Sequence, residues 1–204
     1  INRVYNIINF KNMSDNYSLI IKNGSCYIDG KLEKIDLGLS GKKIKKIGKI
    51  ELNSSKVFDA TNKLILPGII DTQVHFREPG STDAEDLESG SRAAVLGGVT
   101  SLFEMPNTNP PTSNIVEFEK KIQLAKDRMH SNHAFYFGAT PDNIEQLSQL
   151  KNLKGCCGIK LFAGSSTGNL LVDKEADIEK VISNADRIIS IHSEDEEILN
   201  LRKK

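Results

Sequence analysis

The sequence predicts an α/β fold: a partial (β/α)8 TIM barrel of about five strand–helix units, preceded by a small N-terminal β-sandwich part. Three observations carry the prediction. Residues 17–66 hold short β-branched or aromatic runs broken by Asn23-Gly24, Asp29-Gly30 and Ser40-Gly41, which is the pattern of strands and tight turns. After Pro67-Gly68 the pattern changes to strand, loop and helix, repeated, and such alternation builds a parallel sheet with helical crossovers. The first strand of that series runs into His75-Phe76-Arg77-Glu78-Pro79-Gly80, polar and charged. The glycine-rich phosphate turn that usually opens a doubly wound sheet is not there.

The elements follow in order. In the N-terminal part, Tyr17–Ile21, Ser25–Ile28, Lys34–Leu39, Lys43–Ile47 and Lys56–Asp59 read as strands of an antiparallel sheet, with Asp29-Gly30 as a hairpin turn. Lys42–Lys49 is locally basic, but Ile44 and Ile47 punctuate the run, so it reads as a solvated hairpin face. In the second part the strands are Ile69–Phe76, Thr100–Met105, Ala134–Gly138, Gly158–Phe162 and Arg187–His192. The helices are Ala84–Leu96, Asn114–Met129, Asn143–Leu153, Lys174–Asn184 and one beginning at Asp195. A closed barrel needs eight such units and ~250 residues, so residues 68–204 read as an incomplete one.

Both ends bear on organisation. The first residue is Ile1, and Met13-Ser14-Asp15-Asn16 reads as a native start, so residues 1–12 are expected to be an upstream or non-native extension. The expected parts are then 1–12, a β-sandwich part at 13–67 and the barrel part at 68–204. The last residues, Leu199 to Lys204, stop inside a predicted helix.

Composition narrows the function classes. Lys+Arg and Asp+Glu are both 27, for a net charge of zero, which gives no electrostatic reason to expect nucleic acid or an anionic membrane as partner. No apolar run approaches the ~20 residues that span a bilayer, and residues 1–20 lack a cationic start followed by an apolar block. Three cysteines, two of them the adjacent Cys156 and Cys157, form no even framework, which points to a reducing, cytoplasmic setting.

The chemistry is expected where barrel strands end. Asp71, Gln73, His75 and Arg77 recur at spacing two, which puts them on one face of the first strand. Charged groups on a buried face are costly unless they bind something. The second strand ends in Glu104-Met105-Pro106-Asn107-Thr108, the fourth carries Lys160 in mid-run, and the fifth ends in His192-Ser193-Glu194. Taken singly, each has a bland reading: a satisfied core His, an edge-strand Lys, a turn Asn. Taken together, His75, Lys160 and His192 fall at one level of three strands, which favours a metal constellation. Neutral imidazoles bind zinc and similar divalent ions. A lysine there becomes useful if CO₂ adds to its amine, giving a carbamate whose two oxygens can bridge two metal ions. An ion so held would make a nucleophile from water near neutral pH.

These residues resemble a known family. Leu66-Pro67-Gly68-Ile69-Ile70-Asp71-Thr72-Gln73-Val74-His75-Phe76-Arg77-Glu78-Pro79-Gly80 resembles the first-strand signature of dihydroorotases in the amidohydrolase superfamily. Glu85-Asp86, Ser89-Gly90, Arg92-Ala93-Ala94 and Gly97-Gly98-Val99-Thr100 resemble the following helix and turn. Met105-Pro106-Asn107-Thr108, Gly158-Ile159-Lys160-Leu161-Phe162 and His192-Ser193-Glu194 resemble its later strand ends. The resemblance implies a metal-dependent cyclic amide hydrolase that interconverts L-dihydroorotate and N-carbamoyl-L-aspartate in pyrimidine biosynthesis. It implies His75 as a metal ligand, Lys160 as a carboxylated bridging ligand, His192 as a ligand of the second metal, and Arg77 with Asn107 as holders of the substrate carboxylate. It further implies a homodimer when full length, with aspartate transcarbamoylase as a candidate associate.

One residue departs from that pattern. Gln73 stands at the ligand position where the family usually has the first His of His-x-His. An amide oxygen binds zinc less strongly than imidazole does, so one-ion and two-ion sites both stay open. The catalytic Asp that the resemblance implies would lie beyond Lys204, so this segment is expected to be inactive by itself. Two rival readings remain: a hydantoinase or allantoinase, and a non-catalytic homologue serving as a structural partner. His130 and His133 form an H-x-x-H ahead of the third strand, at the wrong end for catalysis. Cys156-Cys157 reads as small core residues, and Gly164–Asn169 reads as an active-site loop.

Overall fold

The computed structural model describes residues 16–51, 56–164 and 169–203. The expected extension at 1–12 and most of the Gly164–Asn169 loop lie outside the described residues. The chain divides into two compact units, with the boundary between Pro67 and Gly68.

In the first unit, β1 (Leu19–Lys22), β2 (Ser25–Ile28), β3 (Lys31–Lys34), β4 (Leu37–Ser40), β5 (Lys43–Ile47), β6 (Val57–Asp59) and β7 (Leu64–Ile65) form two sheets. One has the order β5-β4-β1-β6 and the other β3-β2-β7. The expected single strand Lys34–Leu39 is two strands, and they belong to different sheets. The break has a cause: the Asp36 carboxylate accepts from the amides of Asn23 and Ile50 and turns the chain between them. The unit is also not purely antiparallel, because β6 pairs parallel with β1 and β7 parallel with β2. Asp29-Gly30 does form a two-residue hairpin between β2 and β3, with φ of 48° and 82° at its two positions. Both residue types tolerate that left-handed geometry, and it matches the strand twist. Tyr17, Ile20 and Ile50 make the small core.

The second unit holds β8 (Ile69–Val74), α1 (Leu87–Leu96), β9 (Val99–Glu104), α2 (Ile115–Ala125), β10 (Asn132–Gly138), β11 (Cys156–Phe162), α3 (Glu175–Asn184), β12 (Ile189–His192) and α4 (Glu196–Arg202). Its sheet runs β8-β9-β10-β11-β12, with every pairing parallel. That strictly sequential order separates a curling half-barrel from a doubly wound sheet, whose order reverses at a switch point. Period-two alternation then sorts the side chains. Leu102, Phe135, Phe137, Ile159 and Leu161 face the helices and join Phe118, Leu147, Leu150 and Val181 in the main core. Phe103, Tyr136 and Lys160 fall on the opposite, inner face. Phe103 and Tyr136 meet there edge to face, with centroids 6.5 Å apart. Gly68 starts β8 because a side chain there would overlap Thr100 of the neighbouring strand.

Two expectations are corrected. Residues 144–152 form a 3₁₀ helix, not an α-helix. Its buried residues Ile144, Leu147 and Leu150 recur every three positions, the spacing that keeps one face inward at three residues per turn. The first strand stops at Val74, with an irregular register between Asp71 and Val74. His75 and Arg77 therefore lie in the loop beyond the strand, and Asp71, Gln73, His75 and Arg77 do not share one strand face.

Candidate active site

The C-terminal ends of β8 and β9 are joined by a backbone bond and a side-chain contact. Met105 N donates to Val74 O at 2.9 Å, which brings the Met105-Pro106-Asn107 turn beside the residue after β8. There His75 Nδ1 lies 2.9 Å from Asn107 Oδ1. An amide oxygen can only accept, so Nδ1 carries the proton and Nε2 keeps its lone pair. Burial lowers the His75 pKa below its ordinary value, the Asn107 bond opposes that, and the charges of Arg77 and Lys160 lower it further. His75 is thus held neutral with a free nitrogen, the form that binds a metal ion. Arg77 is exposed beside it, and Asn107 still has its amide protons to donate.

Lys160 and His192 come from neighbouring strands in register, with Lys160 opposite Ser190 and Phe162 opposite His192. Ser190 and His192 therefore share a face, and Lys160 lies across from the first of them. Lys160 is 2% exposed, and burial pushes its ammonium pKa down. Among the described residues no carboxylate pairs with it; its Nζ sits 5.0 Å from the centre of the Phe162 ring. The same ring lies 6.1 Å from the His192 imidazole. His192 Nε2 is 2.9 Å from Glu194 Oε2. A carboxylate oxygen accepts, so this bond leaves Nδ1 as the free nitrogen. The two imidazoles are therefore each fixed by an oxygen from their own neighbourhood and present opposite ring nitrogens.

Gln73 is exposed, and its backbone amide donates to the Asp71 carboxylate at 2.9 Å. Among the described residues no three His, Cys, Asp or Glu side chains gather as a ready metal site; the donors present are two imidazoles, the Lys160 amine and an amide. His130 pairs with Glu88 at 3.0 Å. His133 does not precede β10 but lies within its first residues, its ring 5.7 Å from that of Phe135. The two histidines thus have separate partners. Cys156 is buried and Cys157 partly so, and burial raises the Cys157 thiol to about 12, out of reach of thiolate chemistry near neutrality.

Several residues of this region are not marked by the strand pattern. Lys121 and Glu104 form an ion pair at 2.5 Å, each side chain 1% exposed. Burial raises Glu104 to about 7 against the pull of Lys121, and burial lowers Lys121 against the pull of Glu104. Glu104 Oε1 has no hydrogen-bond partner among the described residues. Glu78 receives a two-pronged contact from Arg128 at 2.7 and 3.0 Å, and its Oε2 also accepts from Leu87 N at 2.9 Å. A signal for Lys121 exists in the sequence: it sits three residues after Phe118 and four before Ala125, on the buried stripe of α2.

A parallel β/α sheet with imidazole groups at the C-terminal ends of two of its strands and a buried lysine in a third has the build of a β/α-barrel enzyme. A family model described as dihydro-orotase-like matches residues 62–201, and the chain belongs to that family. It is 38% identical to a dihydroorotase of Methanosarcina mazei over 87% of this chain and 40% of that protein. It is 31% identical to a dihydroorotase of Thermococcus kodakarensis over 88% of this chain and 42% of that protein. Its fold is similar to an L-hydantoinase (dihydropyrimidinase) from Arthrobacter aurescens, with a TM-score of 0.82 at 24% identity over 91% of this chain and 42% of that one. A D-hydantoinase from Thermus sp. gives 0.74 at 25% identity, over 90% and 42%. The chain thus spans about two fifths of the length of the curated relatives it matches.

Proposed function

We propose that the full-length protein is a dihydroorotase, a metal-dependent hydrolase that opens the cyclic amide of L-dihydroorotate to N-carbamoyl-L-aspartate, and the reverse, in pyrimidine biosynthesis. The observation that carries this reading is the contact between His75 and Asn107 beside Arg77. It sets one amide and one guanidinium next to an imidazole whose outer nitrogen is free.

The residues fit a divalent ion, zinc being the natural one for this donor set. His75 offers Nε2, His192 offers Nδ1, and Lys160 offers a buried amine drawn toward its neutral form. Gln73 could add only a weaker amide oxygen. A neutral amine is also the form that adds to CO₂: the nitrogen lone pair forms the N–C bond, the amine releases a proton, and a carbamate remains on Lys160. A bound divalent ion supplies Lewis-acid polarisation of the scissile carbonyl and a water of lowered pKa. The chain's own residues orient the ring. Arg77 pairs with the ring carboxylate through its planar fork, and the Asn107 amide protons donate to it while Asn107 Oδ1 stays on His75. A cytoplasmic homodimer, with aspartate transcarbamoylase as a candidate associate, completes the proposal. Among the described residues no helix is long and apolar enough to cross a membrane.

A hydantoin or allantoin ring offers no carboxylate, so Arg77 and Asn107 would have nothing to hold. The test is turnover by the full-length protein. Dihydroorotate should be hydrolysed and hydantoin and allantoin spared, and Arg77→Met should raise KM for dihydroorotate by roughly 100-fold, the loss of a charge-assisted pair. Hydrolysis of hydantoin but not dihydroorotate would overturn the proposal. Less than one bound ion per chain in the full-length protein, with His75 and His192 intact, would instead favour a non-catalytic partner.

A further inference from the structure

Two acidic side chains flank the His75–Asn107 contact, and both are gripped by basic residues of one helix and the turn behind it. Glu104 ends β9, three residues before Asn107, and pairs with Lys121 of α2 out of contact with water. Glu78 follows Arg77 directly, is 7% exposed, and takes both arms of the Arg128 guanidinium. Arg128 is itself tied to the end of α2, donating to Leu124 O at 3.0 Å. Lys121 Nζ also reaches Met105 O at 3.4 Å, at the start of the turn that carries Asn107. The two gripped segments are sewn to each other as well, since Asn109 N donates to Pro79 O at 3.0 Å.

Stability gives little reason to keep a fully buried ion pair, because well-packed apolar residues of similar volume commonly serve as well or better. What an apolar pair lacks is direction. Two anchors, one from α2 and one from the turn behind it, set on the end of β9 and on the loop after β8, fix those two segments relative to each other.

We propose that Lys121 and Arg128 are positioning residues: acting through Glu104 and Glu78, they hold the Arg77 loop and the Asn107 turn at the separation where Asn107 Oδ1 meets His75 Nδ1. The consequence for substrate binding rests on the dihydroorotase reading; the consequence for the His75 ring does not.

The test uses the full-length chain. The double variant E104L/K121M replaces the buried pair with apolar side chains. The metal-free protein is labelled with ¹⁵N-histidine, and the His75 resonances are identified by their loss in His75→Gln. The parent should show two well-separated ring-nitrogen signals, the mark of a single Nδ1–H tautomer. The folded double variant should show them drawn together, as for a freely exchanging imidazole. Its kcat/KM for dihydroorotate should fall by about 100-fold, the scale of a misplacement near 1 Å. Parent-like nitrogen signals in the folded double variant overturn the proposal. If that variant does not fold, Arg128→Lys keeps the charge, loses the two-armed grip, and is read by the same criterion. Failure of the parent to turn over dihydroorotate would remove the substrate reading alone, because the nitrogen spectrum still decides the positioning role.

Discussion

Asn107 joins the ends of two strands, because its side-chain oxygen holds the His75 imidazole at 2.9 Å. Asn107→Ala should lower bound metal and kcat/KM of the full-length protein by about 10–100-fold, the usual cost of losing a partner that orients a metal-binding His. Metal analysis of the purified variant checks the first part. Glu104 makes a separate prediction about pH. Between its ordinary 4.5 and the folded value of about 7, the folded protein keeps a proton that the unfolded chain has released. The folded state then binds more protons, so stability should fall as pH rises through that window. Denaturant unfolding of the full-length protein should show this fall, and Glu104→Gln, which cannot titrate, should flatten it. The sequence singles out His75, Lys160 and His192 as candidates because imidazole and amine groups are conspicuous at strand ends and within apolar runs. The hydrogen bonds that choose their free nitrogens were not legible there, since they depend on where a loop and a neighbouring side chain come to rest. Lys121 escaped because a lysine within an amphipathic helix ordinarily reads as solvated.

The elements themselves were largely legible, and where they were not the cause is local. Asp86 caps α1 and accepts from Ser89 N at 2.7 Å, while Ser89 Oγ accepts from Asp86 N in return. That reciprocal pair is why the helix starts at Leu87 and not at Ala84. Asp86→Ala should cost about 1 kcal/mol, read as a shifted denaturation midpoint. The 3₁₀ segment has a stronger support. The Arg187 guanidinium donates to the carbonyls of Leu150, Cys156, Lys151 and Leu153 at 2.5–2.9 Å, tying the end of the segment and the turn after it to the first residue of β11. Arg187→Ala should therefore cost about 3 kcal/mol, since several partly buried carbonyls lose a charged donor together. Arg187→Lys should recover only part of that, because an ammonium lacks the fork. The sequence shows Arg187 only as the start of a strand; nothing in its neighbours says that its target lies some 35 residues earlier in the chain.

At the scale of the whole molecule, the parallel half-barrel has two outer strands. On β8, Ile69 and Ile70 are 57% and 58% exposed; beside and within β12, Ile188 and Ile191 are 80% and 45% exposed. Unpaired strand edges with apolar side chains favour association. Residues 1–204 expressed alone should therefore self-associate and bind a hydrophobic dye, and a monodisperse, cooperatively unfolding preparation would contradict this. The order of the sheet was legible from the βα repeat, while the parallel pairings in the first unit were not. They join β1 to β6 and β2 to β7 across long stretches of chain, which short-range turn signals do not report. The proposed site has His75 Nε2 and His192 Nδ1 as ligands of one ion or of two bridged through Lys160, and one measurement tests it directly. In a crystal of the full-length protein grown with a divalent metal, each of the two nitrogens should have an anomalous peak about 2.1 Å away. A peak bound elsewhere, or one that contacts neither imidazole, would contradict the account.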